Sequence, residues 1–442
     1  MKLHPSARAL RGKLRVPGDK SISHRAVFLG ALSKGVTEVS GFLYGADCLA
    51  TIDCFRRLGV RIEDARRKTD GAQVLQIEGK GIFALDTPFG ELNAGNSGTT
   101  ARLLTGILAA QAFTSIVTGD ASLCSRPMKR VTEPLSQMGA VMESVNGNDC
   151  CPLRIHGTRL HAADLRLPVA SAQVKSALLF AALYADAPTT VRETLPSRDH
   201  TERMLKHFGA DLVIQDEPAV SPCAKSIRLT PGALLRAQKI HVPADLSSAA
   251  FLMAAAVLVP ESEVLFREVG INPTRTGFLH VLEAYGADTE MSNIRDTTEP
   301  YADILVRSSK LVCPEGRLVI EGEIIPTLID ELPVIAVLAA FAEGETVIKQ
   351  AGELRVKESD RISLLVRNLR EMGADVEETM DGMVIRGGKT LHGAHIKTHG
   401  DHRIAMGFAV AALAAEGDTV LEDDACIAVS YPDFFKDLAL LS

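Results

Sequence analysis

The stretch GDKSISHR, residues 18–25, places cations where an α-helix is expected to begin. It stands directly before the apolar run AVFLGAL, and it contains Lys20 and Arg25 with His24 beside the arginine. The N-terminal end of a helix is the positive pole of its dipole, so acids are usual there and cations oppose the dipole. Either these side chains turn toward solvent, or a strongly anionic ligand lies among them.

Similar polar starts precede other apolar helices of the chain. They read NAGNSGTT at 93–100 with Arg102 one turn later, SAQVK at 171–175 and GDHR at 400–403. Small residues, hydroxyls and amides at a helix start leave backbone N–H groups free to bind an anion. Each start alone is equally consistent with an ordinary capped helix, and NAGNSGTT lacks the lysine of a P-loop.

A second group of predicted helix starts also carries cations. These starts read SRP at 125–127, SRDH at 197–200, NPTR at 272–275 and KESDR at 357–361. A solvated charged face explains any one of them. A shared anionic ligand explains better why several starts place cations at the unfavourable pole of a helix dipole. The sequence therefore favours a polyanion site at convergent helix starts.

Two carboxylates stand close to these cations in the sequence. Asp330 lies at the start of the apolar segment IDELPVIAV, and Glu358 lies between Lys357 and Arg361. Asp330 is also explained as a helix cap, and Glu358 as a surface i,i+3 pair with Arg361. Beside cations, the two carboxyls are equally suited to act as base and acid. The histidines of THGDHR have no third ligand at a recognised metal-site spacing, so no metal is expected.

Composition restricts the class of protein. The chain has 442 residues, 46% of them hydrophobic, and a net charge of -7, which argues against a general nucleic-acid binder. Its eight cysteines show neither metal-ligand spacing nor a disulfide framework, so reduced thiols are expected. The basic N-terminus lacks the apolar stretch of a signal peptide, and the longest apolar run, residues 249–260, is too short to span a bilayer. We expect a soluble cytoplasmic protein.

One pattern recurs along the chain: a polar start, an Ala/Leu-rich helix, a turn and a β-prone segment rich in Thr and Val. It occurs six times, and in at least five copies a second helix follows that ends on a bulky residue and Gly, a common left-handed cap. The repeat is about 75 residues long, so six copies fill the chain as two domains of three α/β units each. The first helices are apolar nearly all round, which predicts buried helices with sheets outside.

These motifs resemble one family strongly. GDKSISHRA, NSGTTARL, SRPM, SAQVKSALL, SRDHTERML, LRVKESDR and GDHRIAM are together the signature of the 5-enolpyruvylshikimate-3-phosphate synthase family, and the match runs from about residue 10 to about 436. The resemblance implies an inside-out α/β barrel fold of two similar domains, each with three βαβαββ units around buried parallel helices. One domain would combine residues 1–19 with 240–442 and carry the acid/base residues. The other, 20–239, would carry most shikimate-phosphate contacts, with the active site in the cleft between them.

The resemblance also implies a reaction. The enolpyruvyl group of phosphoenolpyruvate passes to the 5-hydroxyl of shikimate 3-phosphate and phosphate is released, a step of chorismate and aromatic amino acid biosynthesis. By motif position, the expected shikimate-phosphate contacts are Ser21, Arg25, Ser171, Gln173, Ser197, Arg198 and Lys357. Those for phosphoenolpyruvate are Lys20, Gly98, Arg126, Gln173, Arg361 and Arg403, and Asn96 belongs to the same substrate-binding set. Asp330 matches the family's base for the hydroxyl, Glu358 the proton donor to carbon, and Lys20 assists at the bridging oxygen.

Further expectations follow from the same resemblance. The substrates are small polyanions, and no metal, organic cofactor, nucleic acid, membrane or partner subunit is implied, so a monomer is expected. The herbicide glyphosate would occupy the phosphoenolpyruvate place, and Gly98 is the small residue typical of sensitive members. One departure is Val429, which stands where some members carry a lysine, so a phosphate contact there is absent or supplied by another residue.

Two alternatives stay open at this stage. The UDP-N-acetylglucosamine enolpyruvyl transferases share the repeats and the donor, but they carry a cysteine-bearing loop before the equivalent of Arg126. Cys124 stands two residues before Arg126, which is the wrong place for that cysteine. A non-catalytic anion-binding protein with the same fold would be indicated by loss of Asp330 or Glu358, and both are present.

Overall fold

The structure, a computed structural model, describes residues 1–6, 8–66, 73–167 and 169–442. It divides into two compact units. The terminal unit consists of Met1–Pro17 with Pro243–Ser442, and the central unit consists of Gly18–Val242. The chain thus passes between units twice, after Pro17 and after Val242. The assignment of substrate contacts to each domain stays a prediction.

Within the described residues the chain alternates between helices and strands. The helices are α1 (Lys20–Leu32), α2 (Ala46–Arg57), α3 (Gly98–Leu108), α4 (Ala121–Cys124), α5 (Lys129–Gln137), α6 (Ala172–Ala182), α7 (His200–His207), α8 (Leu246–Leu258), α9 (Gly277–Ala284), α10 (Ile325–Leu328), α11 (Leu332–Phe341), α12 (Arg361–Glu371), α13 (His402–Ala414) and α14 (Phe434–Leu441). The strands are β1 (Lys2–Leu3), β2 (Arg11–Leu14), β3 (Lys34–Ser40), β4 (Arg61–Arg66), β5 (Gln73–Lys80), β6 (Leu92–Asn93), β7 (Thr114–Thr118), β8 (Val141–Ser144), β9 (Leu153–His156), β10 (Asp164–Arg166), β11 (Thr189–Glu193), β12 (Asp211–Asp216), β13 (Lys225–Thr230), β14 (Lys239–His241), β15 (Glu263–Gly270), β16 (Thr289–Arg295), β17 (Tyr301–Arg307), β18 (Val312–Ile320), β19 (Glu343–Ile348), β20 (Asp375–Glu378), β21 (Met383–Gly387), β22 (His395–Ile396) and β23 (Thr419–Leu421).

The described strands form six small sheets with one recurring order. The central unit has β14-β3-β5-β4, β6-β7-β9-β8 and β10-β11-β13-β12, and the terminal unit has β16-β17-β15-β2, β18-β19-β21-β20 and the shorter β1-β23-β22. In each four-stranded sheet one edge strand pairs in parallel with its neighbour and the other pairs are antiparallel. The recurrence confirms the predicted six α/β repeats.

The Ala/Leu-rich helices are buried along their length, as their apolar circumference predicts. Every residue from 246 to 257 of α8 and from 332 to 340 of α11 is buried. Several strands instead alternate between buried and partly exposed residues, as β17 does along its whole length, and β16 is largely exposed. The predicted arrangement of helices inside and sheets outside is confirmed.

The second helices end as the sequence predicts. After α2, α5, α7, α9 and α12 the chain turns at Gly59, Gly139, Gly209, Gly286 and Gly373, whose φ angles lie between +78° and +96°. Only glycine adopts this left-handed conformation without strain, so each glycine ends its helix and redirects the chain into a strand.

Among the described residues no single helix is long and apolar enough to cross a membrane, whereas Gly322–Leu328 and Leu332–Phe341, bent by 110°, reach that length and composition only as a pair.

Close helix packing in the central unit depends on one glycine. A β-carbon built on Gly106 of α3 would lie 2.1 Å from the carbonyl oxygen of Ala177 on α6. The same construction on Gly407 of α13 meets nothing closer than 3.7 Å. The backbone of α6 thus occupies the space beside Gly106, whereas a methyl group fits beside Gly407.

We expect Gly106→Ala to destabilise the protein by about 1–3 kcal/mol or more, because α3 must move away from α6. Gly407→Ala is the matched control, since it should be neutral or stabilise by up to about 1 kcal/mol through helix propensity. Urea unfolding of both variants measures the difference. Equal stability of the two variants would show that α3 and α6 are not packed as described.

Candidate functional site

The start of α1 resolves the conflict between its cations and the helix dipole. Asp19 caps the helix, accepting a hydrogen bond from the backbone N–H of Ile22 at 2.8 Å. The ammonium of Lys20 lies 2.5 Å from a carboxylate oxygen of Asp47, and its side chain remains 24% exposed. Asp19 therefore occupies the position where the helix dipole favours an acid, and Asp47 holds the partly exposed ammonium of Lys20.

The second cation of this motif, Arg25, is buried. Its guanidinium donates to the hydroxyls of Thr201 at 2.6 Å and Ser176 at 2.7 Å, and to the carbonyl oxygen of Ser21 at 3.0 Å. Arg25 thus connects the start of α1 to α6 and α7. The structure brings Arg25 and Ser21 together, and their predicted contacts with substrate stay predictions.

The start of α3 assembles four predicted substrate residues from three segments. Arg126 donates to the side-chain oxygen of Asn96 at 2.5 Å. Arg102 donates to the side-chain oxygen of Gln173 at 2.7 Å. Gly98 lies beside both cations, because a β-carbon built on it would be 2.6 Å from Nη1 of Arg102 and 3.6 Å from Nη1 of Arg126. Two guanidiniums beside a bare backbone at a helix start form a candidate anion site.

The start of α6 lies near the segment that carries Ser197 and Arg198. Ser171 caps α6 by accepting from the N–H of Val174 at 3.4 Å. The carbonyl oxygen of Ser197 accepts from the ammonium of Lys175 on α6 at 3.2 Å. Arg198, the next residue, is half-buried.

The terminal unit gathers both predicted acid/base residues around one arginine. The side chain of Arg361 is only 1% exposed, and its guanidinium lies 2.5 Å from Glu358, 2.8 Å from Asp401 and 3.8 Å from Asp330. Its Nη1 has no hydrogen-bond partner. A fully buried guanidinium with a spare donor is suited to receive a further anion, such as a substrate carboxylate.

Two more predicted residues lie in the same part of the terminal unit. Arg403 donates to the carbonyl oxygen of Asp330 at 2.9 Å and lies 3.5 Å from its carboxylate. Lys357 lies 3.0 Å from Glu353. Asp330, Glu358, Arg361 and Arg403 are thus brought together, with Lys357 one residue before Glu358.

The protonation of Glu358 is set by its cationic neighbours. Burial alone would raise the pKa of the Glu358 carboxyl, but Arg361, His402 and Arg403 outweigh burial and hold that pKa below its usual range. Burial alone would also raise the pKa of Asp401, but the charge of Arg361 and its hydrogen bonds lower that pKa below its usual range. These cations therefore favour the ionised form of the Glu358 carboxyl.

The described residues offer no metal centre. No group of three or more His, Cys, Asp and Glu side chains in the described ranges is placed to hold a metal ion.

The start of α9 differs from the other cation-bearing helix starts. Arg275 is buried and lies 3.1 Å from Asp245 and 3.8 Å from the fully buried Glu331. This cation has carboxylate partners within its own unit, so a cation at a helix start does not by itself indicate a ligand.

Comparison with known proteins decides the family. The model of the family described as EPSP synthase (3-phosphoshikimate 1-carboxyvinyltransferase) matches residues 5–438. The chain belongs to the EPSP synthase family. It is similar to the 3-phosphoshikimate 1-carboxyvinyltransferase of Desulforamulus reducens, with 52% identity over 96% of this chain and 95% of that protein, and to the enzyme of the same name from Geobacillus kaustophilus, with 51% identity over 100% of both chains. A solved EPSP synthase from Acinetobacter baumannii aligns with a TM-score of 0.86 and 42% identity over 100% of this chain and 98% of that one.

Two carboxylates that pair with cations of the candidate site were not predicted from the sequence. Asp47 pairs with Lys20, and Asp401 pairs with Arg361 from 40 residues away. Arg102, which donates to Gln173, is a further residue of the site that the motifs alone do not assign. The available signals were the position of Asp401 inside the GDHR motif and that of Arg102 one turn after Gly98.

Both carboxylate oxygens of Asp401 accept hydrogen bonds from groups that can only donate or are placed to donate. Its oxygens accept from Ser359 at 2.9 Å, from the backbone N–H of Arg403 at 3.0 Å, and from Arg361 at 2.8 and 3.2 Å. An amide in this place would turn its NH₂ group toward one of these donors.

We expect Asp401→Asn to destabilise the protein by about 3–5 kcal/mol, because the buried Arg361 loses its fully buried counterion. Glu63→Gln, which removes an exposed pair with Arg61, is the control and should change stability by less than about 0.5 kcal/mol. Chemical unfolding at pH 7 measures both. A loss no larger than that of the control would remove Asp401 from the framework of the site.

Proposed function

We infer that this chain transfers the enolpyruvyl group of phosphoenolpyruvate to the 5-hydroxyl of shikimate 3-phosphate and releases phosphate. Membership of the EPSP synthase family and relatives near 50% identity named 3-phosphoshikimate 1-carboxyvinyltransferase support this reaction. The observation that carries it is the buried Arg361, which has a spare donor and is surrounded by Asp330 and Glu358. One group of residues thus combines anion binding with acid/base chemistry.

We propose that both units contribute residues to the reaction. Lys20, Gly98, Arg126 and Gln173 of the central unit and Arg361 and Arg403 of the terminal unit would bind phosphoenolpyruvate. The shikimate-phosphate contacts would be Ser21, Arg25, Ser171, Gln173, Ser197, Arg198 and Lys357. Asn96, which accepts a hydrogen bond from Arg126, belongs to the substrate-binding set as a whole. The pairing of Arg126 with Asn96 and of Arg102 with Gln173 supports this assignment, because both pairs lie beside Gly98.

The proposed chemistry is an addition followed by an elimination. Asp330 takes the proton of the 5-hydroxyl while the hydroxyl oxygen bonds to C2 of phosphoenolpyruvate. Glu358 gives a proton to C3, which becomes a methyl group. The C2–O bond to phosphate then breaks, the methyl group returns a proton, and Lys20 stabilises the departing oxygen. The cations stabilise developing negative charge, which is commonly the largest contribution to such catalysis.

The lowered pKa of Glu358 links its protonation to substrate binding. Without a ligand, Arg361 and its cationic neighbours favour the ionised carboxylate. A substrate carboxylate bound at Arg361 would offset this positive charge and raise the pKa of Glu358. Binding of phosphoenolpyruvate would therefore shift Glu358 toward the protonated form that the proposed addition uses.

We expect phosphate release only when phosphoenolpyruvate and shikimate 3-phosphate are both present, with no loss of rate in excess chelator. The reason is that cations and carboxylates supply all the groups that the proposed steps use. A coupled phosphate assay measures this, with UDP-N-acetylglucosamine as the alternative acceptor. Equal turnover with UDP-N-acetylglucosamine would contradict the assignment.

We expect Glu358→Gln and Asp330→Asn each to lower the turnover number by about a hundredfold or more, as loss of general acid or base catalysis does. Glu143→Gln, at an exposed pair with Arg154, is the control and should retain full turnover. Steady-state phosphate release measures all three variants. Unchanged turnover in both site variants would reduce the two carboxyls to partners of Arg361.

We expect Gly98→Ala to raise the inhibition constant for glyphosate by a larger factor than it raises the KM for phosphoenolpyruvate. The new methyl group narrows the proposed site and pushes Arg102, whose Nη1 would lie 2.6 Å away, off Gln173. Inhibition kinetics on this variant and on Gly407→Ala, which has space for its methyl group, measure the two constants. Equal factors for both constants, or a wild type insensitive to glyphosate, would show that Gly98 does not line the site.

A further inference from the structure

A lysine and two glutamates form a buried cluster beneath the Ser197–Arg198 segment. The side chains of Lys175, Glu193 and Glu202 are exposed by only 1%, 2% and 2%. The ammonium of Lys175 lies 2.7 Å from Oε2 of Glu193, 2.6 Å from Oε1 of Glu202 and 3.2 Å from the carbonyl oxygen of Ser197. Burial of three ionisable groups is costly, so their arrangement needs an explanation beyond stability.

The two glutamates are not equivalent. Both oxygens of Glu193 accept hydrogen bonds: Oε2 from Lys175, and Oε1 from the backbone N–H of Ser197 at 3.1 Å and from its hydroxyl. Oε2 of Glu202 has no hydrogen-bond partner. Burial, aided by repulsion from Glu193, raises the pKa of Glu202 against the attraction of Lys175. The two carboxyls thus share one ammonium, but only Glu193 also accepts hydrogen bonds from Ser197.

Glu193 therefore fixes a segment of the proposed substrate site. It holds the amide and the hydroxyl of Ser197, while Lys175 holds the carbonyl oxygen. Lys175 belongs to α6, which begins beside Ser171 and carries Gln173. The cluster thus ties two segments of the central unit to one another, and both segments carry predicted shikimate-phosphate contacts.

We propose that Glu193 is a positioning residue for shikimate 3-phosphate, acting through Ser197 and Arg198; this inference rests on the proposed function. A hydroxyl has one proton, so Ser197 must turn away from Glu193 to donate to a phosphate oxygen. The amide bond to Glu193 and the carbonyl bond to Lys175 then keep the backbone of the segment in place. The carboxyl of Glu202 lies 2.6 Å from the ammonium of Lys175, and the hydrogen bonds described for Ser197 go to Glu193 instead.

Glu193→Gln and Glu202→Gln make a matched pair of variants. Each removes one carboxyl from the same lysine, but only at position 193 must the amide NH₂ face a donor, either Lys175 or Ser197. At position 202 the amide oxygen still accepts from Lys175, and the NH₂ takes the place of the unpartnered oxygen. A merely structural role predicts equal effects of both variants on ligand binding.

Calorimetric titration of shikimate 3-phosphate into wild type and both variants tests the proposal. We expect Glu193→Gln to weaken this binding by about tenfold or more and Glu202→Gln by less than about threefold, since only the former disturbs hydrogen bonds at the ligand segment. The KM for phosphoenolpyruvate, measured at saturating shikimate 3-phosphate, should change little in either. Equal losses of affinity in both variants, or no loss in Glu193→Gln, would overturn the proposal.

A second measurement separates failure of this proposal from failure of the proposed function. Amide hydrogen exchange of residues 194–199 without ligand should be faster in Glu193→Gln than in Glu202→Gln or wild type, because the Ser197 N–H loses its acceptor. If wild type does not bind shikimate 3-phosphate, the proposed function fails whatever the exchange shows. If wild type binds it and exchange is the same in all three proteins, the positioning role is wrong.

Discussion

A buried cation needs polar partners close by, most strongly a carboxylate, and the site is built on that requirement. The six core helices are buried along their length, so only their ends can present groups to a ligand. Cations at those starts oppose the helix dipole and lose hydration when buried. Asp401 beside Arg361, Glu193 beside Lys175 and Asp245 beside Arg275 meet this requirement. Each of these carboxylates lies in the same unit as its cation.

The exposure of the cations distinguishes those that hold neighbouring helices together from those that are available to a ligand. Lys175 is held by two carboxyls and a carbonyl, and Arg25 by two hydroxyls and a carbonyl; both therefore order neighbouring helices. Lys20 and Lys357 stay about a quarter exposed, with one carboxylate partner each among the ion pairs described. Arg361 combines both conditions, because it is buried and well paired but has a nitrogen without an acceptor. This combination suits a group that binds an anion and also sets the pKa of Glu358.

Much of the fold followed from local patterns in the sequence. The six repeats, the buried Ala/Leu-rich helices and the capping glycines were predictable because each depends on residues within a few turns of one another. The partners of the cations were not, since Asp401 is 40 residues from Arg361 and Arg102 is 71 residues from Gln173. Sequence spacing cannot pair such residues. The motifs located the candidate site residues, but the structure was needed to show that Arg275 is a buried framework cation and that cations surround the carboxyl of Glu358.

The central claim is that cations at the helix starts bind two different anionic substrates. Two measurements on Arg198→Ala and Arg126→Ala test it: calorimetric titration with shikimate 3-phosphate alone, and the KM for phosphoenolpyruvate at saturating shikimate 3-phosphate. The account predicts that Arg198→Ala weakens the binding of shikimate 3-phosphate by about tenfold or more. Arg126→Ala should chiefly weaken the binding of phosphoenolpyruvate, by a similar factor, as expected for lost charge-assisted hydrogen bonds. Equal losses for both substrates in both variants, or no loss in either, would contradict it.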